Sequence, residues 1–320
     1  MKKLLVIHTG GTISMSQDES NTVNTNGDNP IANHQELIQT YADIKEVMPF
    51  TVPSPHISIR HVKEIRQLIM SHCDEYDGFV ITHGTDTLEE TAFLLDLTLS
   101  ITKPVVITGA MRSSNEIGSD GLYNFIASIR VAVADASHHK GVMVVFNDEI
   151  HTARNVTKTH TSNTNTFQSP NHGPLGVITK SGIYFHHRPY EKTTLSEIDT
   201  HLNVPLIKAH MDMGSEVLAF YADQHVDGIV IEALGQGNLP PTALEGLDKC
   251  LASQIPIVLV SRSFNGIVSA VYSYAGGGHQ LQNKGVIFSN GLNGQKARLK
   301  LLVALSNHYN HDQIRHYFND

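Results

Sequence analysis

The sequence predicts an α/β protein of two domains, a larger N-terminal one built on a parallel sheet and a smaller C-terminal one of the same class. Three observations carry this expectation. Short continuous apolar runs, the mark of strands buried on both faces, alternate with stretches of helical periodicity. One strand-helix-strand unit occurs twice along the chain. Finally, 320 residues with 40% hydrophobic content are enough chain to fill about two cores.

The first run, Leu4 to Ile7 in "MKKLLVIHTGGTISM", stops abruptly at His8-Thr9-Gly10-Gly11-Thr12. Paired glycines there either turn the chain away from the sheet or let a ligand approach the backbone, because ligands of open α/β sheets bind outside the carboxyl ends of strands. In the second case the Thr12 hydroxyl points into that crevice. The spacing is neither G-x-G-x-x-G nor a P-loop, which removes the dinucleotide and nucleoside-triphosphate readings. Residues 14–33 then form a long polar stretch in which Asn26-Gly27 suits a tight hairpin turn; it is either a lid or a surface excursion.

"DGFVITHG", starting at Asp77, leads through "TLEETAFLLDLTLSI", where Ala92, Leu95 and Leu99 recur at helical spacing, to "KPVVITGAM". That order is a βαβ unit and implies parallel strands. The strand "GVMVVFND" precedes a polar run, "NDEIHTARNVTKTHTSNTNTFQSP". The second copy of the unit begins at Val226 in "VDGIVIEALGQGNLPP" and continues through "TALEGLDKCLASQ" to "IPIVLVSRS". Between the copies, residues 187–205 are polar, Pro-bounded and weakly periodic, as an interdomain connection is. The predicted boundaries are 1–188 for the N-terminal domain, 189–202 for the linker and 203–320 for the C-terminal domain.

A net charge of -8 without basic runs argues against nucleic acid as a partner. No apolar stretch approaches a membrane span, and the first run breaks too early for a secretory signal. The two cysteines, Cys73 and Cys250, read as reduced thiols of a cytoplasmic protein. The 20 histidines lack metal-ligand spacing, so no metal is expected.

Chemistry concentrates in three clusters. Thr12 follows the first strand; Thr85 and Asp86 follow another in "THGTDTLEETA", where they either cap the next helix or serve a site. Lys158 stands among hydroxyl and amide residues in the polar run. A threonine hydroxyl is a poor nucleophile until a base takes its proton, and a neighbouring lysine can serve once desolvation favours its neutral form. Asp86 would then bind an ammonium group or hold that lysine in place.

The segments "HTGGTISM", "ITHGTDTLEETA", "TGAMRSSNEIGSDG", "NVTKTHTSNTNTFQSPNHGPLG" and "SNGLNGQKARLKLLVAL" together resemble the bacterial-type L-asparaginase family, in order and over nearly the whole chain. The resemblance implies a larger N-terminal α/β domain, a smaller Rossmann-like C-terminal one, and a homodimer or homotetramer of the cytoplasmic type. It implies hydrolysis of L-asparagine to L-aspartate and ammonia through a threonine-linked acyl-enzyme, without a cofactor. Thr12 matches the family's nucleophile, with Gly10 and Gly11 making room for the substrate. Thr85, Asp86 and Lys158 match the second catalytic cluster, while Gly84 belongs to the same substrate-binding turn. Ser54 in "VPSPHI" falls where the family holds the α-carboxylate, and Asn238 in "GQGNLP" matches a residue lent to a neighbouring subunit's site.

Two departures stand out. Residues 14–33 contain no tyrosine to assist the nucleophile, the nearest being Tyr41, and residues 262–278 contain no Asp or Glu. Three other readings remain beside the asparaginase one: a glutaminase-asparaginase of mixed specificity, the ammonia-releasing subunit of a tRNA-dependent amidotransferase, and a non-catalytic amino-acid sensor.

Overall fold

The computed structural model describes residues 1–14, 16–17, 23–24 and 35–319. These fall into two compact units, Met1–Tyr190 and Glu191–Asp320. In chain order the first contains β1 (Lys3–His8), β2 (Ser16–Gln17), β3 (Val23–Asn24), α1 (Gln35–Gln39), β4 (Asp43–Val47), α2 (Ile59–Ser71) and β5 (Gly78–Thr82). It continues with α3 (Leu88–Thr98), β6 (Val105–Thr108), α4 (Gly121–Val133), β7 (Val142–Phe146), β8 (Glu149–Thr152), β9 (Thr157–Lys158), β10 (Phe167–Gln168), β11 (Gly176–Ile178) and β12 (Ile183–Phe185).

Eight of these strands form one sheet in the order β12-β11-β8-β7-β6-β5-β1-β4. The five from β4 to β7 are mutually parallel, as the apolar runs and crossover helices require. The sheet is nevertheless mixed, because β8, β11 and β12 extend it antiparallel. The cause lies at Asn147 and Asp148, which take φ of 46° and 66°. Two consecutive positive-φ residues make a hairpin turn whose twist matches the strands, so the chain doubles straight back after β7.

Helix α3 departs from the amphipathic expectation. Every residue from Thr91 to Thr98 is buried, as are Leu88 and Glu89. The helix lies between α2 on one side and β6 and β7 on the other, and its buried polar residues take hydrogen-bond partners within the protein. Asp96 accepts the amide of Val142 at 2.8 Å and so fastens the start of β7.

Within residues 14–33, β2 and β3 pair antiparallel. The Asn26-Gly27 turn lies outside the described residues, and so does most of the segment. Residues 186–205 hold no helix or strand.

The second unit has β13 (Leu206–Lys208), α5 (Glu216–Asp223), β14 (Ile229–Ala233), α6 (Leu244–Ala252), β15 (Ile257–Ser261), α7 (Gly278–Asn283), β16 (Ile287–Phe288), α8 (Gly294–Ser306) and α9 (His311–Asn319). Its four strands are all parallel in the order β13-β14-β15-β16. The repeated unit read from the sequence is therefore β5-α3-β6 in one sheet and β14-α6-β15 in the other. Asn293 caps α8 by accepting the Lys296 amide. Cys250 is fully buried on α6, and burial pushes its thiol up to about 11. Both cysteines are free.

Helices α5 and α6 pack at Gly246, where a Cβ would sit 2.3 Å from the Ser215 carbonyl oxygen and 2.9 Å from Leu218 Cβ. An ordinary helical Gly→Ala change gains roughly 1 kcal/mol. Gly246→Ala should instead destabilise the protein by about 2 kcal/mol, since backbone cannot yield as a flexible side chain does. Urea unfolding would measure the difference, and any gain in stability would refute the packing account.

Candidate active site

The carboxyl ends of the neighbouring strands β1, β5 and β6 meet at one edge of the first unit's sheet. Gly10 and Gly11 follow β1 with φ of 101° and 88°, which favour glycine. A Cβ on Gly11 would lie 2.3 Å from Gly84 Cα, and one on Gly10 would lie 2.7 Å from the Val52 carbonyl oxygen. The space that Gly11 leaves is thus filled by the Gly84 backbone rather than left open for a ligand. Thr12 and Thr85 are the residues that directly follow these touching glycines. Thr12 opens a 3-10 turn, Thr12–Ser14, whose Ile13 is buried in the core.

Ser54 completes this corner. The segment before it is tied to the β1 loop by the Val52 amide, which donates to Thr9 O. A Cβ on Gly84 would sit 2.7 Å from Ser54 Cβ. Ser54 is buried; its Oγ accepts the Asp86 amide at 3.2 Å, and its carbonyl accepts the Thr87 hydroxyl at 2.8 Å. Thr87 holds the N-cap position of α3. Thr85 and Asp86 therefore stand in the turn ahead of the helix, and the capping alternative does not describe them.

Lys158 comes from β9, distant in sequence and not part of the large sheet. Its Nζ donates to Thr85 Oγ1 at 2.9 Å and to Asp86 Oδ1 at 2.8 Å. Thr85 is buried, whereas the Asp86 side chain is exposed. Sequence placed a lysine, a threonine and an aspartate in two separate clusters; the fold brings the three into contact.

Several residues quoted only as parts of motifs carry structural duties here. Glu89, buried in the first turn of α3, accepts the Thr157 hydroxyl at 3.0 Å and the Lys158 amide at 3.3 Å. Asp120 accepts the amides of Met111 and Arg112 after β6, and Asn124 Nδ2 donates to the Gly109 carbonyl. His83 lies immediately before Gly84 and is fully buried. Its Nδ1 contacts Gly84 O at 2.7 Å and its Nε2 contacts Thr91 Oγ1 at 2.9 Å. A carbonyl only accepts, so Nδ1 carries the proton and Nε2 accepts from Thr91. A buried polar residue next to a glycine at a strand end is the signal that could have singled out His83; Glu89 gave none, because a glutamate in a first helical turn reads as a solvated dipole partner.

Asn238 belongs to the second unit. It closes a tight turn by exchanging backbone hydrogen bonds with Leu234, and its Oδ1 accepts the Gly278 amide at 3.1 Å. Among the described residues no group of three or more His, Cys, Asp or Glu could hold a metal ion.

Residues 3–191 match the family profile described as "Asparaginase, N-terminal", and residues 203–318 match "Glutaminase/Asparaginase C-terminal domain". The chain belongs to the asparaginase family. Among its relatives in that family, the "Probable L-asparaginase" of Deinococcus radiodurans is 38% identical over 99% of this chain and 97% of that protein. The L-asparaginase of Bacillus licheniformis is 34% identical over 96% of each. A Haemophilus influenzae protein named "Probable L-asparaginase periplasmic" is 34% identical over 100% of this chain and 93% of its own length. A glutamyl-tRNA(Gln) amidotransferase subunit from Methanococcus maripaludis is more distant, 29% identical over 96% of this chain and 77% of that protein.

Burial lowers the pKa of His83 in this asparaginase-family site from 6.5 to about 4. The unfolded chain therefore binds this proton at a higher pH than the folded one, and stability falls as pH drops from 6.5 towards 4. The loss amounts to about 3 kcal/mol over that window. His83→Gln, which cannot titrate, should show a shallower decline of unfolding free energy over the same range, whatever its stability at neutral pH. Parallel pH profiles for the two proteins would refute the assignment.

Proposed function

We propose that the chain is an L-asparaginase, hydrolysing L-asparagine to L-aspartate and ammonia through an acyl-enzyme on Thr12. The observation that carries this reading is the contact of Lys158 with both Thr85 and Asp86, the two residues that follow the glycine packed against the Thr12 loop. The full-length likeness to L-asparaginases supports the substrate.

In the proposed reaction Thr12 Oγ attacks the side-chain amide carbon, its proton leaves with the departing nitrogen as ammonia, and an ester to Thr12 remains. Water then attacks that ester and releases aspartate. In this step Lys158 acts as the unprotonated amine: Thr85, whose oxygen lies 2.9 Å from Lys158 Nζ, takes a proton from the attacking water as it gives its own to the lysine, and the proton returns to Thr12 as the ester breaks. Asp86, whose exposed carboxylate is held by the Lys158 ammonium, receives the substrate's α-ammonium. Ser54 and the backbone at Gly11 and Gly84 bound the substrate's other end, and Asn238 serves a partner subunit's site in a homodimer or homotetramer. No cofactor takes part in any of these steps.

A mixed glutaminase-asparaginase differs by one substrate methylene, worth about 1 to 3 kcal/mol of discrimination. The amidotransferase reading rests on the more distant match alone. A non-catalytic sensor would have no use for a lysine bonded to a threonine hydroxyl. We propose a cytoplasmic location on the two free thiols, against which stands the periplasmic name of one relative. No helix among the described residues is long and apolar enough to cross a membrane, and nucleic acid is not among the proposed partners.

The purified chain alone should release ammonia from free L-asparagine, with kcat/KM at least tenfold above that for L-glutamine. Equal values would favour the mixed enzyme, and no release without a partner protein would favour the other two readings. Thr12→Ala should bind aspartate yet lose at least a thousandfold in kcat, the loss typical of removing a nucleophile. Retention of a tenth of the activity would remove Thr12 from the mechanism.

A further inference from the structure

Strand β9 is two residues long and pairs only with the equally short β10, through Phe167 opposite Lys158 and Gln168 opposite Thr157. Isolated pairs of this size do not hold their own geometry. One end of the hairpin is anchored by Phe167, which is buried and stacks against Phe146 of β7 with ring centroids 4.8 Å apart. The loop end is closed by Thr159, whose amide and hydroxyl both donate to Thr166 O. Val156, just before the strand, is buried and its amide donates to Thr152 O. At Lys158 itself the amide is received by Glu89.

We infer that Glu89 is a positioning residue for the Lys158 ammonium. Its carboxylate is buried on the first turn of α3, and a single oxygen, Oε1, receives both the Thr157 hydroxyl and the Lys158 main-chain amide. The same helix start holds the turn that presents Thr85 and Asp86, and Thr87 at its N-cap is fixed to Ser54 O. Glu89 therefore references the backbone of the lysine to the same rigid element as the two groups that the lysine must touch. Without that oxygen the amide of Lys158 and the hydroxyl of Thr157 each lose a hydrogen bond in a part-buried place, where such a loss is costly. The two-residue strand then moves toward water, and Nζ drifts from Thr85 Oγ1. A shift of about 1 Å in such a group is enough to cost on the order of a hundredfold in rate.

The inference rests on the proposed role of Lys158, and the experiment separates the two. In Glu89→Ala, kcat for asparagine should fall about a hundredfold while KM changes less than threefold, because the lysine is misaimed but the substrate pocket is intact. Glu89→Gln keeps a carbonyl oxygen for both donors and should recover to within about tenfold of the wild type. Thr157→Val removes one of the two bonds without emptying the α3 position, and should lose about three- to tenfold in kcat; it serves if Glu89→Ala does not fold. Adding Glu89→Ala to Lys158→Met should cost little beyond Lys158→Met alone, since both act on one group. Lys158→Met with near wild-type activity would overturn the proposed mechanism itself. A damaging Lys158→Met combined with harmless Glu89→Ala, Gln and Thr157→Val would overturn the positioning role and leave the mechanism standing. If Glu89→Gln fell as far as Glu89→Ala, the hydrogen-bond account would likewise fail.

Discussion

The site depends on one contact made entirely by backbone, that of Gly11 against Gly84. Two strand ends can approach this closely only where neither residue has a Cβ, and the contact leaves 2.3 Å for one. Gly109 repeats the arrangement on the next strand, where a Cβ would lie 2.4 Å from the His83 carbonyl oxygen. Three consecutive loops at the carboxyl edge of a parallel sheet are thereby compressed into one layer. Thr12 and Thr85 each directly follow one of the two glycines in contact, so the loops that carry them are adjacent.

The second element of the arrangement is the start of α3. Thr87 reaches the 3-10 turn at Ser54, Glu89 reaches β9, and Thr91 reaches back to His83. These residues lie at every second position, so they point to different sides of one helical turn rather than along one face. A helix with a solvated side could not be used in this way. Burial on all sides is what makes Glu89, Thr91 and Asp96 take partners on other segments, because a buried polar group without one costs about 1 to 3 kcal/mol. Helix α3 thus converts a packing constraint into the alignment of three loops.

This also explains which parts were legible in the sequence. The strands β1, β5, β6 and β7 announce themselves as apolar runs, since each is covered on both faces, and their order gave the parallel core. The antiparallel extension was hidden because β8, β11 and β12 are only three or four residues long, and the deciding turn, Asn147-Asp148, lay inside a run read as a single polar cluster. For the site, Thr12, Thr85, Asp86 and Lys158 were named from their residue types and from resemblance. Their mutual contacts could not be named, because Lys158 is 73 positions from Thr85 and only the packing of β9 on α3 decides that they meet. The glycines were read as room for a ligand, whereas Gly11 makes room for Gly84. Sequence marks a small residue; it does not say what fills the space.

The pairing of Lys158 with Asp86 is not explained by stability. The aspartate side chain is 58% exposed and that of the lysine 17%, and a pair so open to water contributes at most about 1 kcal/mol. Fixing a long lysine side chain costs on the order of 1 to 2 kcal/mol in rotamer freedom. The contact therefore comes near to cancelling, and the ordering of the lysine has to be supported from elsewhere, by the anchored strand beneath it and by the acceptor oxygen of buried Thr85. A near-neutral pair has one property that a tight buried one lacks: its acidic partner can be drawn away by an incoming cation without unfolding the corner around it. If Asp86 has the ammonium-binding role proposed for it, an arriving α-ammonium replaces Lys158 there at small cost and leaves the lysine oriented by Thr85 and by its own backbone. The proposed mechanism thereby links substrate binding and activation of the hydroxyl through a single exposed carboxylate.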